Sequence, residues 1–533
     1  MINSLLLIII SLIIFGGGYF FYAQKLVRLW QIDHKNPTPA IFKYDGIDYI
    51  PAKNWLILFG HHFSSIAGAG PIVGPVIACL LWGWLPALLW IILGSVFMGG
   101  VHDFGSLIVS IRERGNSIPD ISKEVVSRKA KIIFSLFVFL ALILVIAVFA
   151  YLCADTFVKD PRVISPSLGL IPVAILVGFL LYNLKINSIL VTVLGLISLY
   201  FLVQRGDLLA MYLGKSSLYI WLIVLFIYSY FASVLPVNIL LQPRDYLSSF
   251  LLLAGMGFAL IGVLISHPVI KIPFYIKWNT ASGWLWPMLF VTVACGAISG
   301  FHALIASGTT SKQLSTEKYS CRIGYGAMLM EGLLAALVVV VVSSLNFNKD
   351  SLGLYLKERG PVEIFSQGYN RITFNILKGK GGFLAITVLN AFILTTLDTA
   401  TRICRYIAEE LFNIKNRFIS TGIVLILSAL LAFSGKWLKI WLTFGASNQL
   451  VASLVLFVIS VWLIKKRKNI FFTLPIGLFM FFTTMGALIF QLISYLLNRE
   501  YLLIFISLIL IFLGSFMFWE IINSLIKIIK NRA

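Results

Sequence analysis

Charged residues are scarce in this sequence, and acidic residues are the scarcer kind. Asp and Glu number 21 against 42 Lys and Arg in 533 positions, and all charged residues together make up 12%, whereas hydrophobic residues make up 59%. Because a soluble protein of this length cannot cover so much apolar surface, the composition excludes a water-soluble globular fold. At about 20 residues per crossing, the chain has room for about fifteen membrane-spanning helices.

Several functional motifs are also missing. The five cysteines include no CxxC pair, which disfavours a disulfide framework or a zinc-thiolate site. The sequence has no GxxxxGK[ST] motif and no HExxH motif, so neither ATP-driven transport nor a metalloprotease is indicated. Its basic residues form no tail or stripe of the kind that binds nucleic acid.

Apolar windows predict fifteen helices and therefore an all-α polytopic membrane protein. The two arms of a tight hairpin around Lys185 barely reach spanning length. If the N-terminus lies outside, most Lys and Arg fall in inner loops, and no basic residue lies inside a predicted helix core. This bias predicts an outer N-terminus and a cytoplasmic C-terminus, and the expected location is a prokaryotic inner membrane.

One predicted helix, Trp55–Leu81, contains a stretch that an uninterrupted helix disfavours. Residues 60–75 hold four glycines, two prolines, two serines and a histidine pair, which predicts a helix break. Broken backbone at membrane depth is tolerated only where it is buried in protein or lines a cavity, so the break indicates a binding site. The candidates to bind substrate there are Ser64, Ser65, Gly68, Ala69 and Gly70.

A second predicted helix, Gly283–Ser307, has the same kind of composition between residues 296 and 310. It lies seven helices further on, so the two cross in opposite directions, which is the pattern of an inverted-repeat secondary transporter. A half-helix N-terminus there suits a carboxylate, whereas close helix packing is the alternative reading of the small residues. The facing candidates are Ser299, Gly300, Ser307, Thr309 and Thr310.

The segments GHHFSSIAGAGPIVGP, GAISGFHALIASGTTSKQ, LTTLDTATR (394–402) and FGASNQL (444–450) resemble the signature blocks of the carbon starvation A (CstA) family. The resemblance extends over about 54–465. It implies a transporter with a leucine-transporter-type core of two inverted five-helix repeats and no enzyme activity. It also implies peptide uptake, or alternatively pyruvate uptake, as a stress response to carbon starvation.

The expected divisions of the chain follow from that resemblance and from the helix count. Residues 1–53 are expected to form an N-terminal helix and a basic inner loop, and 54–282 the first repeat with extra helices. Residues 283–464 are expected to form the second repeat, and 465–533 a C-terminal pair of helices.

Ionisable side chains inside apolar helices are costly and by default mark function. Carboxylate and hydroxyl oxygens in this setting can bind H⁺ or Na⁺ as a coupling ion. The coupling candidates are Asp103, Glu331, Thr395, Thr396 and Asp398. The alternative for Asp398 is an ion pair with Arg402, which lies at i+4 on the same helix.

Four histidines and two amides remain open between several roles. The imidazoles suit gating, proton transfer, a hydrogen bond to broken backbone or, with Asp103, a metal ion and hence a membrane-embedded metal-dependent enzyme. Asn448 and Gln449 suit either substrate binding or contact between helices. The histidines concerned are His61, His62, His102 and His302.

Overall fold

The computed structural model describes residues 3–46, 48–213, 216–280, 282–346 and 352–530. These residues form a bundle of helices with one short hairpin, in which β1 (Asn279–Thr280) pairs antiparallel with β2 (Gly283–Trp284). The first helices are α1 (Ser4–Leu29), α2 (Pro39–Phe42), α3 (Trp55–Ile66), α4 (Gly70–Trp82), α5 (Trp84–Arg112), α6 (Ile118–Val125), α7 (Arg128–Lys159), α8 (Pro161–Asn183), α9 (Ser188–Gln204), α10 (Gly206–Leu213), α11 (Leu218–Val234) and α12 (Leu241–Ser266).

The second part of the chain continues the bundle after the β-hairpin. Its helices are α13 (285–292), α14 (Gly300–Gly308), α15 (Glu317–Ser343), α16 (Leu352–Arg359), α17 (Pro361–Leu377), α18 (Gly381–Leu411), α19 (Arg417–Ala432), α20 (Trp437–Lys465), α21 (Leu474–Leu497) and α22 (Tyr501–Lys530). Helix α13 is itself short and irregular, with a π-helical turn followed by three α-helical residues.

Within the described residues, ten helices are long and apolar enough to cross a membrane, and α3 with α4 forms an eleventh if the bent pair counts as one span. Three shorter apolar helices, α9, α11 and α19, accompany them. The all-α polytopic class is therefore confirmed, whereas the total of fifteen crossings remains a prediction.

The core lies around helices that are enclosed by other helices. The apolar windows of α15 and α20 are 89% and 94% buried, whereas those of α1 and α22 are 28% and 33% buried. Helix α7 packs along α18, α12 packs against α3, and α14 lies against α5 and α20. The hairpin of α8 and α9 packs on α12 from the periphery. Helices α1, α9 and α22 have exposed apolar side chains, which suit contact with lipid.

Local sequence explains how the chain enters the first broken helix and turns after it. The side chain of Asn54 accepts a hydrogen bond from Ile57 N at 2.9 Å and so caps α3. After α4, Gly83 adopts φ +105°, and a Cβ there would lie 2.6 Å from Phe274 O. Only glycine fits this turn, which lets α5 fold back directly beside α4.

Candidate functional site

The first predicted helix break lies between α3 and α4. Helix α3 ends at Ile66, and α4 begins at Gly70 with a bend of 42° between them. A Cβ at Gly68 would lie 2.7 Å from Thr396 Oγ1 and 2.8 Å from Phe149 Cε2. Glycine at this position therefore allows the break to approach α18 and α7.

The second break separates α13 from α14 and packs directly against the first. The chain between 293 and 299 is not helical. A Cβ at Gly70 would overlap the side chain of Cys295, and a Cβ at Gly74 would lie 2.5 Å from Thr292 O. The two discontinuous helices therefore meet at their breaks, which confirms the predicted pair.

A buried arginine contacts two carboxylates close to the first break. Arg244 on α12 contacts Asp398 on α18 through Nη1, and its Nη2 lies 3.3 Å from Asp245 Oδ1. Asp398 also accepts a hydrogen bond from the Tyr228 hydroxyl, and Asp245 Oδ2 lies 2.7 Å from His61 Nδ1. We call these five residues the arginine cluster. It joins α3, α11, α12 and α18.

Two features of this cluster differ from the sequence expectations. Asp398 does not pair with Arg402, because Arg402 Nη2 donates to Ala232 O at 2.8 Å and Arg402 Nη1 lies 3.6 Å from Asp48. The expectation that no basic residue lies inside a helix core is also wrong, since Arg244 and Arg402 are each 1% exposed.

The threonines of α18 face the first break in different ways. Thr396 Oγ1 donates to Ser65 O at 3.2 Å, and Ser65 Oγ lies 3.4 Å from Thr399 Oγ1. Thr395 Oγ1 instead donates to Ala391 O at 2.9 Å within its own helix. Of the two predicted threonines, Thr396 therefore bonds to the broken helix, whereas the Thr395 hydroxyl is bonded within α18.

A second group of buried ionisable side chains contains no arginine or lysine. His302 Nδ1 on α14 lies 2.8 Å from Asp103 Oδ2 on α5, and His302 Nε2 lies 3.2 Å from Glu331 Oε2 on α15. His102 Nδ1 lies 2.7 Å from Asp103 Oδ1, and all four side chains are fully buried. We call these four residues the histidine cluster.

The charge of the histidine cluster depends entirely on bound protons. With both carboxylates ionised and both imidazoles neutral, the cluster carries two negative charges. In the described part of the chain no Lys or Arg lies within ion-pair distance of it. Because an uncompensated buried charge costs several kcal/mol, the cluster must retain protons. It is therefore a site that can hold a proton.

The histidine pair of α3 contacts the segment that follows α14. His62 Nδ1 lies 2.8 Å from Thr310 Oγ1, and His61 Nε2 lies 3.3 Å from Gln313 Nε2. Ser64 Oγ, one turn further along α3, donates to the carbonyl of Asp245 at 2.8 Å. The first broken helix therefore contacts the second both at the break and at the segment that follows the C-terminal end of α14.

Helix α20 contributes two amides to the second broken helix. Asn448 Oδ1 accepts a hydrogen bond from Phe301 N at 2.8 Å, and Asn448 Nδ2 donates to Ser299 Oγ at 2.9 Å. Asn448 thereby caps α14, for which Ser299 makes no side-chain cap bond. Gln449 Nε2 donates to Phe290 O in α13 at 2.8 Å. The two amides hold the two halves of the helix in place.

The other predicted substrate residues are packed at the breaks or within α14. Ala69 is fully buried, and Gly300 begins α14 against the backbone of α20. The hydroxyls of Ser307 and Thr309 donate to carbonyls four residues earlier, at 2.8 and 3.0 Å. Small side chains here allow close packing. Their role in binding substrate stays a prediction.

The metal-site alternative has no geometric support. In the ranges that the structure describes, no group of three or more His, Cys, Asp or Glu side chains is arranged to hold a metal ion. The predicted metal-ligating histidines contact carboxylates or a threonine hydroxyl instead.

Sequence comparison relates the chain to known transporters. The family model described as "Carbon starvation protein CstA" matches residues 3–352 and 350–487. The "Peptide transporter CstA" of Escherichia coli K12 is 33% identical over 519 residues, covering 82% of this chain and 73% of the relative. The "Pyruvate/proton symporter BtsT" of the same organism is 30% identical over 541 residues, covering 84% and 75%.

Comparison with solved structures supports the fold. A manganese transporter from Eremococcus coleocola, in complex with an aromatic bis-isothiourea substituted compound, aligns with a TM-score of 0.54 at 13% identity. A mutant of this transporter aligns with a TM-score of 0.53 at 12% identity, covering 90% of this chain and 99% of the transporter. The architecture is that of a leucine-transporter-type core with additional helices.

Proposed function

The chain belongs to the carbon starvation protein CstA family, and on that basis we propose that it imports a carboxylate-bearing nutrient by proton-coupled alternating access. It is a membrane transporter and not an enzyme. Peptides are the first substrate class, because relatives from several bacteria carry the name peptide transporter. Pyruvate is the second, because of the similarity to a pyruvate/proton symporter.

The observation that carries this proposal is the contact between the two helix breaks. Helices α4 and α14 each begin at a break, so their positive half-dipoles lie in the same buried region. A substrate carboxylate there would accept hydrogen bonds from Ser64, Ser65 and the backbone at the start of α4, once the Ser64 hydroxyl leaves the carbonyl of Asp245. Small rearrangements of α3 and α14 would expose that region to either side in turn.

The proton is favoured over sodium as the coupling ion. Arg244 already supplies the positive charge beside Asp398, and the Thr395 hydroxyl is bonded within its own helix. A sodium ion between these oxygens would lie next to a guanidinium and be repelled. The histidine cluster, by contrast, is neutral only when it carries protons, so we assign the coupling proton to Asp103, His302 and Glu331.

Topology and repeats complete the proposal. The loop charges favour an inner-membrane protein with the N-terminus outside and the C-terminus in the cytoplasm. Residues 54–282 and 283–464 are proposed as the inverted repeats, and α8 with α9 as the two helices inserted into the first. Residues 1–53 and 465–533 lie outside the repeats, and their helices α1 and α22 are peripheral.

Uptake into proteoliposomes tests the proposal. Purified protein is given labelled dialanine or labelled pyruvate under an inward proton gradient, an inward sodium gradient or neither. One substrate is expected to accumulate above its equilibrium distribution under the proton gradient, and a protonophore is expected to abolish the accumulation. Uptake that only equilibrates under both gradients would contradict a coupled carrier, and accumulation driven by sodium alone would contradict the assigned ion.

A further inference from the structure

A cavity lies at the end of the bundle that is proposed to face the cytoplasm. It measures about 140 Å³ and is lined by the last turn of α14, the last turns of α18 and the loop between α5 and α6. Lys312, which follows α14 in a single 3₁₀ turn, projects into it. The Lys312 ammonium lies 5.3 Å from the centroid of the Tyr49 ring and 4.9 Å from that of Tyr406.

The ammonium of Lys312 has no carboxylate partner within 4.0 Å among the described residues. The acidic side chains that border the same cavity, Asp120 and Glu410, are both paired with Lys131. Burial lowers the pKa of the Lys312 ammonium, and the more distant Asp48 and Asp120 raise it. The cavity therefore presents a partly buried cation that forms no direct ion pair with a described carboxylate, and the nearest acidic groups act on it only from beyond 4.0 Å.

Lys312 is also adjacent to both contacts that link α14 to the histidine pair of α3. Thr310 bonds to His62, and Gln313 lies beside His61. A ligand bound to Lys312 would therefore lie next to the two residues that contact the first broken helix.

We propose that Lys312 binds the carboxylate of the transported substrate in this cavity, as its last contact before release into the cytoplasm. The inference rests on the proposed transport function and names a second subsite for the same substrate. A carboxylate would offset the ammonium through a charge-assisted hydrogen bond. The two tyrosine rings would shield that bond from water while leaving the cytoplasmic end of the ligand free.

The size of the cavity indicates which part of a substrate fits. It is well below the range of about 300–1,000 Å³ for pockets that enclose a drug-sized ligand. A small monocarboxylate fits within it, whereas a peptide would place only its C-terminal carboxylate there.

Equilibrium binding to purified full-length protein tests the proposal. The probes are pyruvate and dialanine, each compared with its uncharged amide, and the variants are Lys312→Gln and Lys312→Arg. Lys318→Gln is the matched control, because Lys318 is an exposed lysine six residues further on. Lys312→Gln is expected to weaken carboxylate binding about tenfold or more. Lys312→Arg and Lys318→Gln are expected to keep it, and the amides are expected to bind weakly to every form.

A second measurement uses only the wild-type chain, so it tests the proposal even if Lys312→Gln fails to fold. Acetylation of Lys312 by an N-hydroxysuccinimide ester, followed by peptide mass spectrometry, is expected to slow in the presence of pyruvate or dialanine but not of their amides. Acetylation of Lys318 is expected not to change. Equal rates for Lys312 with and without the carboxylates would overturn the proposal.

The outcomes separate this inference from the proposed function. Wild-type binding that Lys312→Gln leaves unchanged would overturn the subsite and leave transport intact. Binding that depends on Lys312 without any gradient-driven uptake would support the subsite and overturn the transport proposal. Absence of carboxylate binding to the wild-type protein would overturn both.

Discussion

The charged side chains of the arginine cluster and of the histidine cluster are buried, but only the arginine cluster contains a permanent cation. Arg244 contacts two carboxylates, so it offsets one of their two negative charges at any pH that the protein meets. In the histidine cluster two carboxylates share His302, and none of the described Lys or Arg side chains is within ion-pair distance. Its charge can be balanced only by protons.

This difference separates two tasks within one buried polar network. A fixed ion pair resists rearrangement and holds α12 and α18 in register beside the first break. A proton-balanced cluster changes its charge when a single proton leaves, so it can respond to a gradient. We therefore expect stability to depend mainly on the arginine cluster and coupling mainly on the histidine cluster.

The largest effect is expected from Arg244→Gln. It leaves Asp398 and Asp245 buried without their cation, a change that typically costs about 3–5 kcal/mol. We expect a strongly lowered thermal midpoint in detergent and poor recovery of monodisperse protein. The double variant Arg244→Leu with Asp398→Leu should recover part of the midpoint without recovering transport. A wild-type thermal midpoint for Arg244→Gln would contradict the structural role that we assign to the arginine cluster.

A smaller effect on stability but a severe one on coupling is expected from Glu331→Gln. The amide is neutral and nearly isosteric, so the protein should fold, yet it cannot give up the proton. Accumulation of substrate under a proton gradient should fall about tenfold or more, toward the equilibrium distribution, while exchange of labelled for unlabelled substrate continues. Both are measured in proteoliposomes.

Glu358→Gln is the matched control for that experiment, because Glu358 is an exposed glutamate on α16. It should leave both accumulation and exchange at wild-type levels. If Glu331→Gln also accumulates substrate normally, the histidine cluster does not carry the coupling proton. The two clusters would then differ in charge but not in function.

The sequence allowed the breaks and the members of the histidine cluster to be predicted for local reasons. Glycine and proline in an apolar span disfavour a continuous helix, and a buried Asp103, His302 or Glu331 stands out wherever it occurs. Their pairing was beyond such reasoning, because Asp103 and His302 are 199 positions apart and meet only through packing of α5 against α14. Convergence is a property of the tertiary fold.

The arginine cluster was missed because of a helix boundary. The apolar window that predicts this helix covers Tyr246–Ser266, so Arg244 and Asp245 fall in a predicted loop, where the arginine counts as a topology signal. The observed α12 begins at Leu241, so both residues lie in its first turns and are buried. The available signal was the adjacent opposite charges of Arg244 and Asp245 between two apolar segments. These residues lie near a helix end, where boundaries are assigned least accurately.

A moderate effect is expected from Gly70→Ala, which tests the contact that lies between the two clusters. The added methyl group overlaps Cys295, and overpacking of this kind costs about 1–3 kcal/mol. We expect a lower thermal midpoint and slower uptake, because the two breaks are forced apart. Adding Cys295→Gly removes the obstructing side chain and should restore much of both. If the double variant is no better than Gly70→Ala, the breaks do not depend on this contact.

The smallest effect is expected from Glu500→Gln, which removes two ion pairs at the ends where α20 and α22 begin. Hydrogen bonds from Lys436 and Lys439 lower the pKa of Glu500 from 4.5 to about 2. The pairing therefore contributes stability above the ordinary pKa and loses that contribution as the pH falls from 4.5 through about 2. Exposed pairs contribute little, so at neutral pH the midpoint and uptake should stay close to wild type. The gap between the two midpoints should close toward pH 2. A neutral-pH loss as large as that of Arg244→Gln would show that burial is not what distinguishes the clusters from surface ion pairs.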